Sequence, residues 1–267
     1  RPTFVSVVDD SGTSSDVIAK LNRHKVNTKY IRRAAGGLGT WLAIFDNAGD
    51  VVASISQRPD LSEIANILDE HGDEIFASSD SIVVEIDMDS DILNRIFALA
   101  DKYGIKVYAV VSNMSIAMER RDLMKRTGCV VCNDQEASIL FSEDYSKYEP
   151  EQLAEIIAKH AKTAQYSNFV VTLGEKGAVY VDEHGNYGHI PAQKTQVIDT
   201  TGAGDGFFTG VAVGLTYGKS LKESCEIGTR VASSVISNSE SVCPRFEPAE
   251  FDLDPAALRC QQMSIFD

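Results

Sequence analysis

The sequence lacks any long apolar run. No stretch approaches the roughly 18–20 apolar residues that a membrane-crossing helix needs. The start carries no basic-then-apolar segment of the signal-peptide kind. Positive charge is also scarce. Against 39 aspartates and glutamates stand 25 lysines and arginines, a formal net charge of −14. That balance argues against nucleic acid as a partner, because such binding draws on clustered cations. Cysteine is sparse and odd in number: Cys129, Cys132, Cys225, Cys243 and Cys260. Such a set suits reduced thiols and a cytoplasmic protein better than a disulfide framework. Cys129 and Cys132 have the spacing of a redox or zinc pair. Their run is apolar, however, and no second pair stands near, so two buried thiols are expected. The five histidines show no metal-ligand spacing. Internal repeats and low-complexity segments are absent. No Gly-x-Gly-x-x-Gly follows an early strand, which weighs against a dinucleotide-binding oxidoreductase.

What is present suits one large α/β domain of 267 residues. Phe4–Val8 reads as a buried strand, followed by a helix capped by Ser15 or Asp16. Trp41–Phe45 and Val51–Ile55 read as a hairpin turned at 47–50, with Gly36-Gly37 inside the strand before it. Strands at 81–86, 105–111, 129–132 and 169–172 alternate with helices at 61–68, 92–100, 115–127 and 151–165. Apolar strands separated by amphipathic helices imply a doubly wound, mostly parallel sheet covered on both faces. Ligands of such sheets bind at the carboxyl ends of the strands. Hairpins at 169–181 and 178–190 predict an antiparallel edge.

One stretch carries chemistry: Asp199-Thr200-Thr201-Gly202-Ala203-Gly204-Asp205-Gly206. It lies between a strand-like run, Gln196–Ile198, and a helix-like run from Phe207. Strand, glycine-rich turn and helix together aim free backbone N–H groups at an anion. Asp205 falls in the first helical turn, where the helix dipole favours an ionised carboxylate able to accept a proton. A cradle for developing charge beside a base suggests phosphoryl transfer. The plainer reading is a loop–helix junction with a dipole-matched aspartate. Gly206, Gly210 and Gly214 form one glycine face, expected to pack against the sheet.

The phrase Asp-Thr-Thr-Gly-Ala-Gly-Asp-Gly-Phe-Phe-Thr-Gly resembles the C-terminal signature of the ribokinase-like (PfkB) sugar and nucleoside kinases. Two further motifs follow the family's order. Asn133-Asp-Gln-Glu136 resembles its Asn-x-x-Glu, which orders magnesium and phosphate through water; the same residues also suit a helix capping box. Thr172-Leu-Gly174-Glu-Lys-Gly177 resembles its nucleotide-site turn, with Lys176 either at a phosphate or simply solvated.

The resemblance implies a ribokinase-like α/β fold with a small β lid at about 28–57, and a kinase moving the γ-phosphate of ATP to a sugar or nucleoside hydroxyl. It implies Asp205 as base and the amides of Gly202, Ala203 and Gly204 as the anion hole. Glu136 and Asn133 would order Mg2+, and Thr172, Gly174 and Gly177 would lie at the nucleotide. Ala232, Ser233, Ile236 and Asn238 would border the adenine. Asp199 and Thr201 match positions that help hold a monovalent cation such as K+ in several relatives; Asp199 also suits a plain turn. Lids of this family often pair two subunits, so a homodimer is expected. Residues 42–55 are similar to the pseudouridine-kinase branch. The family's opening strand and its Gly-Gly segment find no match here, so a truncated or non-catalytic kinase-like protein is the alternative reading.

Overall fold

The computed structural model describes residues 1–45 and 51–260. Contacts divide the chain into two compact units: Arg1–Ile75 with Asn94–Ile96, and Phe76–Leu93 with the residues from Phe97 onward.

In the first unit, β1 (Thr3–Val8) and β2 (Asn27–Arg33) pair in parallel, joined through α1 (Gly12–Arg23). The cap of α1 is Ser11, not Ser15 or Asp16: its side chain accepts from the Ser14 amide at 3.2 Å. Asp9 makes that early start possible by taking the Ser11 amide at 2.9 Å and the hydroxyls of Ser11 and Ser14. Gly36 and Gly37 lie in a turn after β2, not inside a strand. β3 (Thr40–Phe45) and β4 (Val51–Gln57) form an antiparallel sheet of their own. The expected turn at 47–50 lies outside the described residues. α2 (Glu63–Ala77) is tied to β2 by Lys29–Glu74 at 2.7 Å, and by Arg32 to Glu63 and Glu70.

The second unit is the main α/β layer structure. In chain order it holds β5 (Ser81–Glu85), most of α3 (Ser90–Tyr103), β6 (Lys106–Val110), α4 (Met114–Ala117), α5 (Arg121–Met124) and β7 (Cys129–Asn133). These are followed by α6 (Asp134–Phe141), α7 (Pro150–Ala164), β8 (Phe169–Thr172), β9 (Ala178–Val181), β10 (Tyr187–Ile190), α8 (Ala203–Thr216) and α9 (Leu221–Ile236). The sheet order is β10-β9-β8-β7-β6-β5, parallel from β5 to β8 and antiparallel at β9 and β10.

Two expectations fail locally. The helix expected over 115–127 is broken. Arg120 leaves helical geometry (φ −114°, ψ 23°), and its guanidinium donates to the Ile116 carbonyl at 3.2 Å and to Met88 at 2.8 Å. Gln196–Ile198 is not a strand. Val197 and Ile198 are exposed, and the Ile198 amide donates to the Ile236 carbonyl at 2.8 Å.

The glycine face of α8 packs on α9 and not on the sheet. A Cβ on Gly206 would lie 2.8 Å from Val235 Cγ2, one on Gly210 2.6 Å from Gly228 Cα, and one on Gly214 2.6 Å from Ser224 Oγ. Only bare backbone lets two helices approach so closely. Phe207, Phe208, Val211 and Ala212 of α8 share one buried cluster with Tyr108, Cys129, Val131 and Val170 of the sheet. Each buried phenylalanine there contributes about 1.5–3 kcal/mol.

Candidate active site

The direction of α8 sets the site. Its last residue, Thr216, shares a 2.7 Å hydrogen bond with Ser81, the first residue of β5. The helix then runs across the sheet, so its N-terminus lies at the carboxyl ends of the parallel strands. That is where Asn133 ends β7 and Thr172 ends β8, and the two are direct register partners.

Gly202 is the N-cap of α8, in the left-handed region at φ +81°. It is glycine for a second reason: a Cβ would come within 2.5 Å of the Ser241 carbonyl oxygen. The Ala203 amide donates to the Thr200 carbonyl at 3.1 Å and that of Gly206 to Gly202 at 2.8 Å. The amides of Gly204 and Asp205 fall in the first turn, where a helix has no internal acceptor to offer. Asp199 Oδ1 accepts from the Thr201 amide at 2.8 Å, and these hydrogen bonds hold its carboxyl below the usual range.

Asp205 keeps an exposed surface, yet its carboxyl is pushed above the ordinary carboxylate value by desolvation. Loss of water around the carboxyl is the cause, and a raised carboxylate is a better proton acceptor. Among the described residues no hydrogen-bond donor faces its side chain to lower it again.

Asn133 and Glu136 make a complete capping box at the start of α6. Asn133 Oδ1 accepts from the Glu136 amide at 2.8 Å, and Glu136 Oε2 from the Asn133 amide at 2.7 Å. Burial pushes the Glu136 carboxyl up, as do the charges of Asp87 and Asp134, against the Asn133 amide. Asp87, just past β5 and 6% exposed, is a residue the sequence reading missed. A carboxylate directly after Ile86, at a strand's carboxyl end, was the available signal. Among the described residues no group of three or more histidine, cysteine, aspartate or glutamate side chains could hold a metal directly. These carboxylates suit a hard cation held through water.

The 172–177 turn is backbone-built. Gly174 has φ +57° and Gly177 φ +93°, and a Cβ on Gly177 would meet the Ile190 carbonyl oxygen at 2.0 Å. Thr172 Oγ1 lies 3.4 Å from the Cys132 carbonyl. Asn238 is fully engaged. Its amide nitrogen donates to the carbonyls of Ser234, Val235 and Val242, and its oxygen accepts from the Glu240 amide at 2.7 Å. It therefore fixes the 238–242 loop that lies against Gly202.

Comparison with known proteins places the chain in a family. Residues 1–244 match the pfkB family of carbohydrate kinases. The chain is 31% identical over 240 residues to the guanosine-inosine kinase of Exiguobacterium acetylicum, covering 89% of this chain and 78% of that one. In structure it is similar to ribokinase from Giardia lamblia (TM-score 0.78, 12% identity, 94% and 82% coverage). A second neighbour is ribokinase from Arabidopsis thaliana, solved with ribose and ATP (TM-score 0.73, 21% identity, 90% and 78% coverage). No helix among the described residues is long and apolar enough to cross a membrane. With a ribokinase-like fold and the family's three motifs in order, the chain belongs to the pfkB carbohydrate kinases, enzymes that transfer phosphate to an alcohol group.

Proposed function

We propose that the protein transfers the γ-phosphate of ATP to a nucleoside hydroxyl. The observation that carries this is the N-terminus of α8: the left-handed Gly202 opens the first-turn amides at the strand ends, with Asp205 in the same turn. Asp205 accepts the proton of the acceptor hydroxyl. The 202–204 backbone stabilises charge on the group in transfer, chiefly through the Gly204 and Asp205 amides, since Ala203 already has an acceptor. Glu136 and Asn133 position Mg2+ through water, while Thr172 and Gly174 leave room for phosphates beside them and Gly177 lets the turn close on Ile190. Asp199 and the Thr201 carbonyl hold a monovalent cation such as K+ beneath the loop. Asn238 borders the adenine as the residue that sets the shape of its loop.

A nucleoside acceptor is favoured because the 31% identical relative is a guanosine-inosine kinase. Guanosine, inosine and pseudouridine lead the panel to be tested, and simple sugars follow. Two copies pair through the β3–β4 hairpin: Leu42, Ile44 and Ile55 share one face of it and are each more than half exposed. A lone hairpin of this kind is marginal in water unless that face is covered.

The test is ATP turnover with Mg2+ across the panel, with and without K+. Phosphorylation of one acceptor, lost in Asp205→Asn, is the expected result. ATP binding with transfer to no member of the panel would overturn the proposal in favour of a non-catalytic protein.

A further inference from the structure

The second unit holds a cavity that the kinase chemistry does not use. It has a volume of about 320 Å³ and is lined by Arg121, Lys125, Leu140, Phe141, Ala164 and Tyr166. Arg121 and Lys125 precede β7, and Ala164 and Tyr166 precede β8. Leu140 and Phe141 end α6, which starts at the carboxyl end of β7 and runs back. The cavity therefore lies at the amino edge of the sheet. It is separated from Asn133 by the length of α6, on the order of 10 Å.

Its chemistry is unusual for a chain of net charge −14. Neither Arg121 nor Lys125 has an ion-pair partner among the described residues. Arg121 spends one Nη2–H on the Leu140 carbonyl at 3.2 Å, which fixes the guanidinium and leaves its other donors available. Tyr166 is 8% exposed, its ring stacked on Phe169 at 5.2 Å. Its hydroxyl has no hydrogen-bond partner among the described residues, and the charge of Arg121 acts on it. That hydroxyl keeps access to solvent at the cavity and is free to donate to an acceptor that enters. Phe141, edge-on to Tyr166 at 6.4 Å, and Leu140 supply an apolar wall.

We propose that this cavity is a binding site for a small organic phosphate, with the phosphate held by Arg121, Lys125 and the Tyr166 hydroxyl and the apolar body against Phe141 and Leu140. Three donor side chains lining one cavity suit a group with three acceptor oxygens better than a carboxylate with two. The volume falls at the small end of ligand pockets.

The probe is phenyl phosphate, titrated by calorimetry into the full chain saturated with a non-hydrolysable ATP analogue, so that the kinase site is occupied. Saturable binding is expected, weakened at least tenfold by Lys125→Gln and by Arg121→Gln, and far weaker for inorganic phosphate, which lacks the apolar body. Lys147→Gln, on a different loop, leaves it unchanged. Lys125 is exposed, so its variant keeps the fold and the result stands even if Arg121→Gln proves unstable. No saturable binding, or binding that both variants leave intact, would overturn the site. Equal affinity for inorganic phosphate would reduce it to nonspecific anion attraction and would also overturn it. None of these outcomes depends on which acceptor the kinase uses.

Discussion

Gly202 lies directly beneath the carbonyl of Ser241, so close that a single added carbon would sit 2.5 Å from that oxygen. Gly202→Ala therefore meets two obstacles, the clash and a left-handed φ of +81°. The backbone strain alone costs about 1–3 kcal/mol. The first-turn amides move with it, and turnover should fall by about 10²-fold or more. Steady-state kinetics beside a thermal melt would check this; turnover within threefold of the parent would refute it.

Asp205→Asn separates catalysis from stability. Turnover should drop by roughly 10²–10⁴-fold if Asp205 is the base. Stability should move the other way. The folded state raises this carboxyl, so it binds the proton more tightly than the unfolded chain does. Ionisation then costs stability as pH rises from the ordinary carboxylate value through the raised one. The variant escapes that cost, so its melting temperature should gain on the parent's between pH 4 and pH 7. In the parent, kcat/KM should fall on the acid side at a pH above that of an ordinary carboxylate.

Glu136→Gln tests the two roles of the capping box. A glutamine oxygen can still accept from the Asn133 amide, so helix α6 should stay capped and stability should change by less than ~1 kcal/mol. Half-saturation by Mg2+ should rise about 10–100-fold, as for loss of an outer-sphere partner. A large drop in melting temperature with unchanged Mg2+ dependence would mean that the residue only caps a helix.

Asp9 predicts an acid-sensitive first unit. Its hydrogen bonds to Ser11 and Ser14 lower its pKa to about 2. The stability they contribute is fully present above the unfolded value near 3.8 and is lost as pH falls toward 2. Asp9→Asn should flatten that limb of the acid titration, read by hydrogen exchange in α1. An unchanged limb would rule the linkage out.

Much of the candidate site's local geometry could be read from the chain because its motifs are local. Gly202, Asp205, Asn133 and Glu136 each act within one turn of their own helix, and local geometry follows from local sequence. What was misread depended on distant partners. The periodicity of Gly206, Gly210 and Gly214 marks a face but does not say what meets it. The answer was written a few residues on, in Ser224, Gly228 and Ala232, which carry the same four-residue spacing on α9. The apolar look of Gln196–Ile198 suggested a strand, but a strand needs a neighbour, and the Ile236 carbonyl took its amide instead. Arg120 broke a helix by reaching the Met88 carbonyl, 32 residues away. Asp87 was overlooked although its place directly after Ile86, at the end of an apolar strand, marked it.

The close seam between α8 and α9 also has a kinetic consequence. The α9 end binds the Ile198 and Asp199 amides through Ile236, and the following loop covers Gly202 through Ser241. With glycines on both helices bringing the backbones this close, the two ends of this frame shift together. A change made anywhere in 236–242 will therefore be felt at the N-terminus of α8. Such variants will sort by turnover number as well as by nucleotide affinity, and the two parameters will fall in step along the series.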